Sequence, residues 1–352
     1  MKAFISLLAI VIVALLAAWF MPSPIDAIAV SPSQPIPLEG RWQANDALQT
    51  TQVTQLPPGK RGGEDIAKDK LGCLYTGTED GSILRKCPYA SWEQLVNTGG
   101  RPLGLAFDDK QNLIIADAVK GLLRMTPKFE LEVLAHQYQG QPLGVVDDVD
   151  IGADGTLYFS DASSRYPLSK LTLDILDGRP SGRLFAFDPT SQQLTLLADE
   201  LAFANGVAVD AEQDFVLVNE TFRYRISKVW LKGAKAGQRE VLVDRLPGLP
   251  DGIARAENGT YWLSLYGLRP ELVDRIHPKP WLKNQLAKLP TALAPLPAPY
   301  GLIVQINADG EVLQTLHDQA AVAIGGITSV QPEKDGLYLG TLHMNRIGKL
   351  AF

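Results

Sequence analysis

Apolar and polar residues alternate with period two at six places along the chain, and each alternating stretch leads through a polar turn into a more apolar one. The first stretches begin at Asp65-Ile66-Ala67, Gly104-Leu105-Ala106, Asp148-Val149-Asp150, Gly206-Val207-Ala208, Gly252-Ile253-Ala254 and Gly326-Ile327-Thr328. Their partners are "CLYTGT", "NLIIAD", "TLYFSD", "FVLVNE", "TYWLSL" and "GLYLGT". Strict alternation over such lengths is the mark of a strand with one buried face. Third strands follow, as in "SILRKC", "GLLRMT", "RISKVW" and "RIGKLA".

The starts are spaced by 39, 44, 58, 46 and 74 residues. The shorter spacings match one four-stranded propeller blade, so the pattern predicts an all-β, six-bladed β-propeller over 47–352. The longer ones place insertions near 162–182 and 266–298, the second containing a helix candidate, "PWLKNQLAKL". "ALQTTQVTQL" (47–56) supplies a candidate strand to close the ring with the C-terminal blade.

The N-terminus follows a different pattern. Residues 3–21 are uncharged and apolar, and at 1.5 Å per residue they span about 28 Å, close to the thickness of a bilayer core. Residues 1–22 therefore read as an uncleaved signal anchor, a membrane-anchor helix, with a cleaved signal ending near "AIA" (27–29) as the alternative. Either puts the rest of the chain outside the cytoplasm. Residues 23–46, rich in Pro and Ser, read as a tether.

Charge and cysteines narrow the picture. A net charge of −6 with no basic run excludes a nucleic-acid partner. Cys73 and Cys87 flank "LYTGTEDGSILRK". A three-residue loop at Glu79-Asp80-Gly81 puts the two cysteines opposite each other in a hairpin, where a disulfide can form. The alternative is two free buried thiols.

The residue just before each repeat start is, in order, Glu64, Leu103, Asp147, Asn205, Asp251 and Gly325. Equivalent positions on inner strands converge on a propeller's axis, so Glu64, Asp147, Asn205 and Asp251 are expected to meet at one end of the channel. Three carboxylates there raise one another's pKa, and a hard cation such as Ca2+ relieves them. Singly, each reads as a turn residue. A second column, Asp117, Asp161 and Glu220, offers a pocket rim or loop caps, and Asp148 a second layer. Tyr166 and Tyr224 are candidate pocket aromatics. Of the histidines, His136 and His343 lie nearest in sequence to the site.

The stretches "RPLGLAFDDKQNLIIADAVKGLLRM", "DDVDIGADGTLYFSDASSRY", "FANGVAVDAEQDFVLVNETFRYRI" and "LPGLPDGIARAENGTYWLSL" resemble the strictosidine synthase-like proteins, within a superfamily that includes gluconolactonases, regucalcin and paraoxonases. The resemblance implies a channel-end divalent metal, usually calcium, with Glu64, Asn205 and Asp251 matching its ligands. Asp147 stands where the family usually has Asn. It further implies a hydrolase of small lactones or aryl/alkyl esters in which Asp251 serves as the catalytic carboxylate. The amine–aldehyde condensation of true strictosidine synthases needs a glutamate that falls here at Thr328. A ligand- or protein-binding propeller with a structural metal is the non-enzymatic alternative.

Overall fold

The computed structural model describes residues 21–290 and 298–352. Six four-stranded antiparallel sheets form the blades of a β-propeller. Their innermost strands are Ile66–Lys68, Pro102–Phe107, Val146–Ile151, Ala204–Val209, Gly248–Arg255 and Ile327–Glu333. The last blade is completed by a strand from the beginning of the chain: Gln52–Gln55 pairs with Arg346–Leu350, Gln52 opposite Lys349. This closure fastens the beginning of the chain to its end within one sheet.

The hydrophobic core is a series of layers between neighbouring blades. Ile114, Leu122, Val149, Phe159 and Phe185 fill the wedge between the second and third, and Leu217, Ile253, Tyr261, Leu263 and Leu302 that between the fourth and fifth. The second strands of the second, third and fourth blades are buried along their full length, from Leu113 to Asp117, Leu157 to Asp161 and Phe215 to Glu220. That explains why these strands read as continuous apolar runs.

The first blade's hairpin follows the expected register, Leu74 opposite Lys86 and Gly77 opposite Ile83. Gly81 takes a left-handed φ of 85° at the loop, and Cys73 and Cys87 are joined as a disulfide.

Both insertions leave from the end of a second strand and sit at the same end of the ring. The first carries helix α1 (Leu171–Asp177), the second α2 (Glu271–Ile276) and α3 (Pro280–Leu286). Residues 23–46 differ from the tether expected of them. Ile25 and Ala27 pack with Leu176 and Ala287, and Trp42 joins the core of the fourth and fifth blades. The N–H groups of Ile28, Val30 and Ile36 donate to the carbonyls of Asp177, His277 and Arg245. The apolar residues spaced through this Pro-rich stretch make it a strap across both insertions. The anchor expected over 1–22 lies, except for Met21 and Pro22, outside the described residues. Among the described residues no helix is long and apolar enough to cross a membrane.

Candidate functional site

The inner strands are not regular where they approach the axis. Pairing with the second strand skips between Pro102 and Leu105, Val146 and Val149, Ala204 and Val207, Pro250 and Ile253, and Ile327 and Ser329. Each skip is a β-bulge that re-aims a side chain. The bulges fall on Leu103, Asp147, Asn205, Asp251 and Thr328, while Glu64 precedes the first inner strand. Ser160, Asn219 and Ser264 stand opposite three of the bulges. Ser160 accepts the Asp148 N–H, Asn219 donates to the Asp251 carbonyl, and Ser264 donates to the Thr328 carbonyl. In the sixth blade the bulge makes Thr328, not Gly325, the member of the column.

Close approach of the bulged strands depends on glycine. A Cβ on Gly206 would stand 2.4 Å from the Asp251 carbonyl oxygen, and one on Gly252 2.5 Å from that of Thr328. Any side chain there would push neighbouring inner strands apart.

Glu64, Asp147, Asn205, Asp251, Leu103 and Thr328 thus line one end of a central cavity of about 320 Å3. Burial pushes the Glu64 carboxyl up to about 7, opposed by Arg101 and assisted by Asp65 and Glu79. Burial also drives Asp147 well above the usual carboxylate range, with the charges of Glu64 and Asp148 adding to it. Asp251 rises for the same reasons, burial first, then Glu64 and Asp147, while Asn205 counteracts the shift.

Arg101 is the residue that sequence reasoning missed. It is buried, and its guanidinium donates to a Glu64 carboxylate oxygen at 2.8 Å and to the Gly62 carbonyl at 3.1 Å. It lies two residues before Leu103, the one apolar side chain in the column, and reaches in from that gap. The only available signal was the column's unbalanced negative charge. Tyr266 was also missed. It is half-buried, its ring lies close to Gly326, and burial and the charges of Asp251 and Glu64 raise its pKa.

Below the ring, three carboxylates tie blades together. Asp65 accepts the N–H groups of Ile66 and Leu105, Asp148 those of Val149 and Val207, and Asp150 those of Ile151 and Val209. Each joins its own strand to the inner strand of the next blade, so Asp148 has a structural task beside the site.

The second column does not line the cavity. Asp117 caps the backbone at Arg101, Val119 and Lys120. Asp161 accepts from Gly144, Val145 and the Arg183 guanidinium, and Glu220 from Ala202, Arg225 and Ser227. These are loop caps, and only Asp161 acts on the ring, by raising Asp147. Tyr166 donates to Asp177 within the first insertion, and Tyr224 packs in the core under the Arg269 guanidinium. His136 is exposed on an outer hairpin, and His343 pairs with Glu79 at the rim. Neither histidine reaches the ring.

Does this donor set suit a cation? Three carboxylates and an amide, all oxygen donors, match a hard ion rather than zinc. Among the described residues, however, no three acidic or histidine side chains stand close enough together to form a finished metal centre, and Arg101 occupies one Glu64 oxygen.

The strictosidine synthase family model matches residues 147–234, and the model for the N-terminal part of strictosidine synthase-like proteins matches 40–86. The chain is 30% identical over 360 residues to the adipocyte plasma membrane-associated protein of Homo sapiens, covering 95% of this chain and 86% of that one. It is 36% identical over 303 residues to strictosidine synthase-like protein 6 of Arabidopsis thaliana, covering 82% and 78%. Among solved structures it superposes on a gluconolactonase from Xanthomonas campestris with a TM-score of 0.62 at 16% identity, over 94% of this chain and 99% of that one. A calcium-binding regucalcin from Agrobacterium tumefaciens gives 0.58 at 13%, over 83% and 94%. At these identities the structural likeness concerns the fold.

Proposed function

The chain belongs to the strictosidine synthase-like family, and on that footing we propose that it is a calcium-dependent hydrolase of small lactones or aryl/alkyl esters, tethered to a membrane by residues 3–21. The observation that carries the reading is the ring itself: three buried carboxylates from three blades beside one Asn amide, with Glu64 alone of the three paired to an arginine, Arg101, among the described residues. Glu64, Asp147, Asn205 and Asp251 would hold the ion. When bound, it would polarise the substrate carbonyl and steady the developing oxyanion.

The chain's own residues divide the remaining work. Asp251, on the ring beside Asn205, is placed to take a proton from the attacking water and return it to the leaving alkoxide. Asn205 orients that carboxylate. Arg101 fixes Glu64 at the rim, and Leu103 offers an apolar wall to the substrate. The neighbours named gluconolactonase and calcium-binding regucalcin support the reading by analogy. The Cys73–Cys87 disulfide supports an oxidising compartment. The condensation reading has less behind it, because Thr328 spends its hydroxyl on the Glu64 carbonyl and its neighbours are not acids.

Assay of the full chain in detergent with phenyl acetate and small lactones, in calcium or in chelator, tests the proposal. Expected is turnover that chelator abolishes and that Asp251→Asn lowers by about 100-fold or more. Chelator-insensitive turnover overturns it. No turnover with a calcium-dependent melting temperature favours a binding propeller, the reading suggested by the Arg101–Glu64 pair.

A further inference from the structure

The two insertions differ in charge from the molecule that carries them. Residues 162–182 and 266–298 hold eight Lys and Arg against four Asp and Glu, a net +4 in a chain of net −6. They also expose large apolar side chains: Leu272 is 54% exposed, Trp281 60% and Leu289 49%. These residues lie on or just after two adjoining short helices.

The beginning of the described chain is at the same place. Met21 is 62% exposed, and two residues on, the Ser23 hydroxyl donates to Asn284 of α3, which also accepts the Ala27 N–H. Asn284 lies one turn beyond Trp281. The uncharged run 3–21 therefore joins the molecule beside the exposed apolar residues of α2 and α3. Both insertions occupy the end of the ring where Glu64, Asp147, Asn205 and Asp251 meet.

We propose that this face docks onto an anionic lipid surface, so that the end of the channel where the ring lies faces the bilayer. Cationic side chains around exposed Leu and Trp are the composition that seats protein in the headgroup region. Lys279, with Arg275, which also pairs with Glu271 on the same helix, meets the anionic headgroups, while Leu272, Trp281 and Leu289 enter the boundary beneath them. The inference rests on the tethering reading of residues 3–21 but adds a direction, since a tether alone leaves the propeller free to turn.

The two native cysteines are paired, so a single introduced thiol can carry a fluorophore. The full chain with Leu272→Cys, with Leu289→Cys, or with Leu71→Cys on the opposite end is reconstituted into phosphatidylcholine–phosphatidylglycerol vesicles. Flotation reports the tether, and quenching by brominated lipid against quenching by aqueous iodide reports the orientation. Expected is lipid quenching roughly threefold stronger at positions 272 and 289 than at 71, falling by about half in pure phosphatidylcholine or on Arg275→Glu with Lys279→Glu. Equal quenching at the two ends in floating protein overturns the docking face and leaves the tether standing. Indifference to lipid charge overturns the anionic preference, and failure to float removes both readings.

Discussion

Arg101 shows how much a single residue does at the ring. It pairs with Glu64, one of three ring carboxylates that burial already disfavours, and its charge also acts on Asp147. Removing one partner of a buried pair leaves an uncompensated charge, which costs about 3 kcal/mol. Arg101→Met should therefore lose stability of that order in chelator, measured by urea unfolding, and lose much less in calcium if an ion takes over the neutralisation. An equal loss under both conditions would mean that no cation enters. Gly206 has a comparable role in space rather than charge. Its missing Cβ lets the Asp251 strand come within reach, which is why an Asn-Gly pair that looks like a turn belongs to an inner strand.

Elements were legible where the period was regular. The residues before the repeat starts at 65, 148, 206 and 252 share one phase, so their convergence followed from counting. The sixth position did not, because the 266–298 insertion stretches the last spacing and the turn at Gly325-Gly326 imitates a strand start. Arg101 was hidden for another reason: it contacts Glu64 across a blade boundary, 37 residues away, and no periodicity records such a pair. The strap was misread because Pro and Ser content masked the apolar residues at Ile25, Ala27, Val30 and Trp42. The insertions have a measurable property of their own. His277 of the second is buried, and burial, with Lys283, Arg223 and Arg269 adding, lowers its pKa to about 4. Between there and the ordinary value near 6.5 the unfolded chain binds a proton that the folded chain does not. Stability therefore falls as pH drops from 6.5 toward 4, by about 2 kcal/mol at pH 5. His277→Gln should flatten that part of the stability–pH curve in urea titrations; an unchanged slope would place the proton elsewhere.

At the scale of the whole molecule, the ring is closed by the Gln52–Gln55 strand at the outside of the last blade, and near the axis Asp65 ties the first blade to the second while Asp148 and Asp150 tie the third to the fourth. The strap is a third connection, and its layout has a mechanical meaning. Its backbone bonds reach the first insertion at Asp177, the second at His277 and the link between the fourth and fifth blades at Arg245. Tension applied at the N-terminus meets these bonds one after another, so they peel singly instead of sharing the load. In single-molecule pulling between the N-terminus and an outer strand, the strap should yield as one or more early low-force steps, well before the blades come apart together. A single rupture would show that strap and ring bear force as one body. Stepwise release would make the strap a mechanical fuse: tension on the N-terminal segment would loosen the two insertions while leaving the propeller intact.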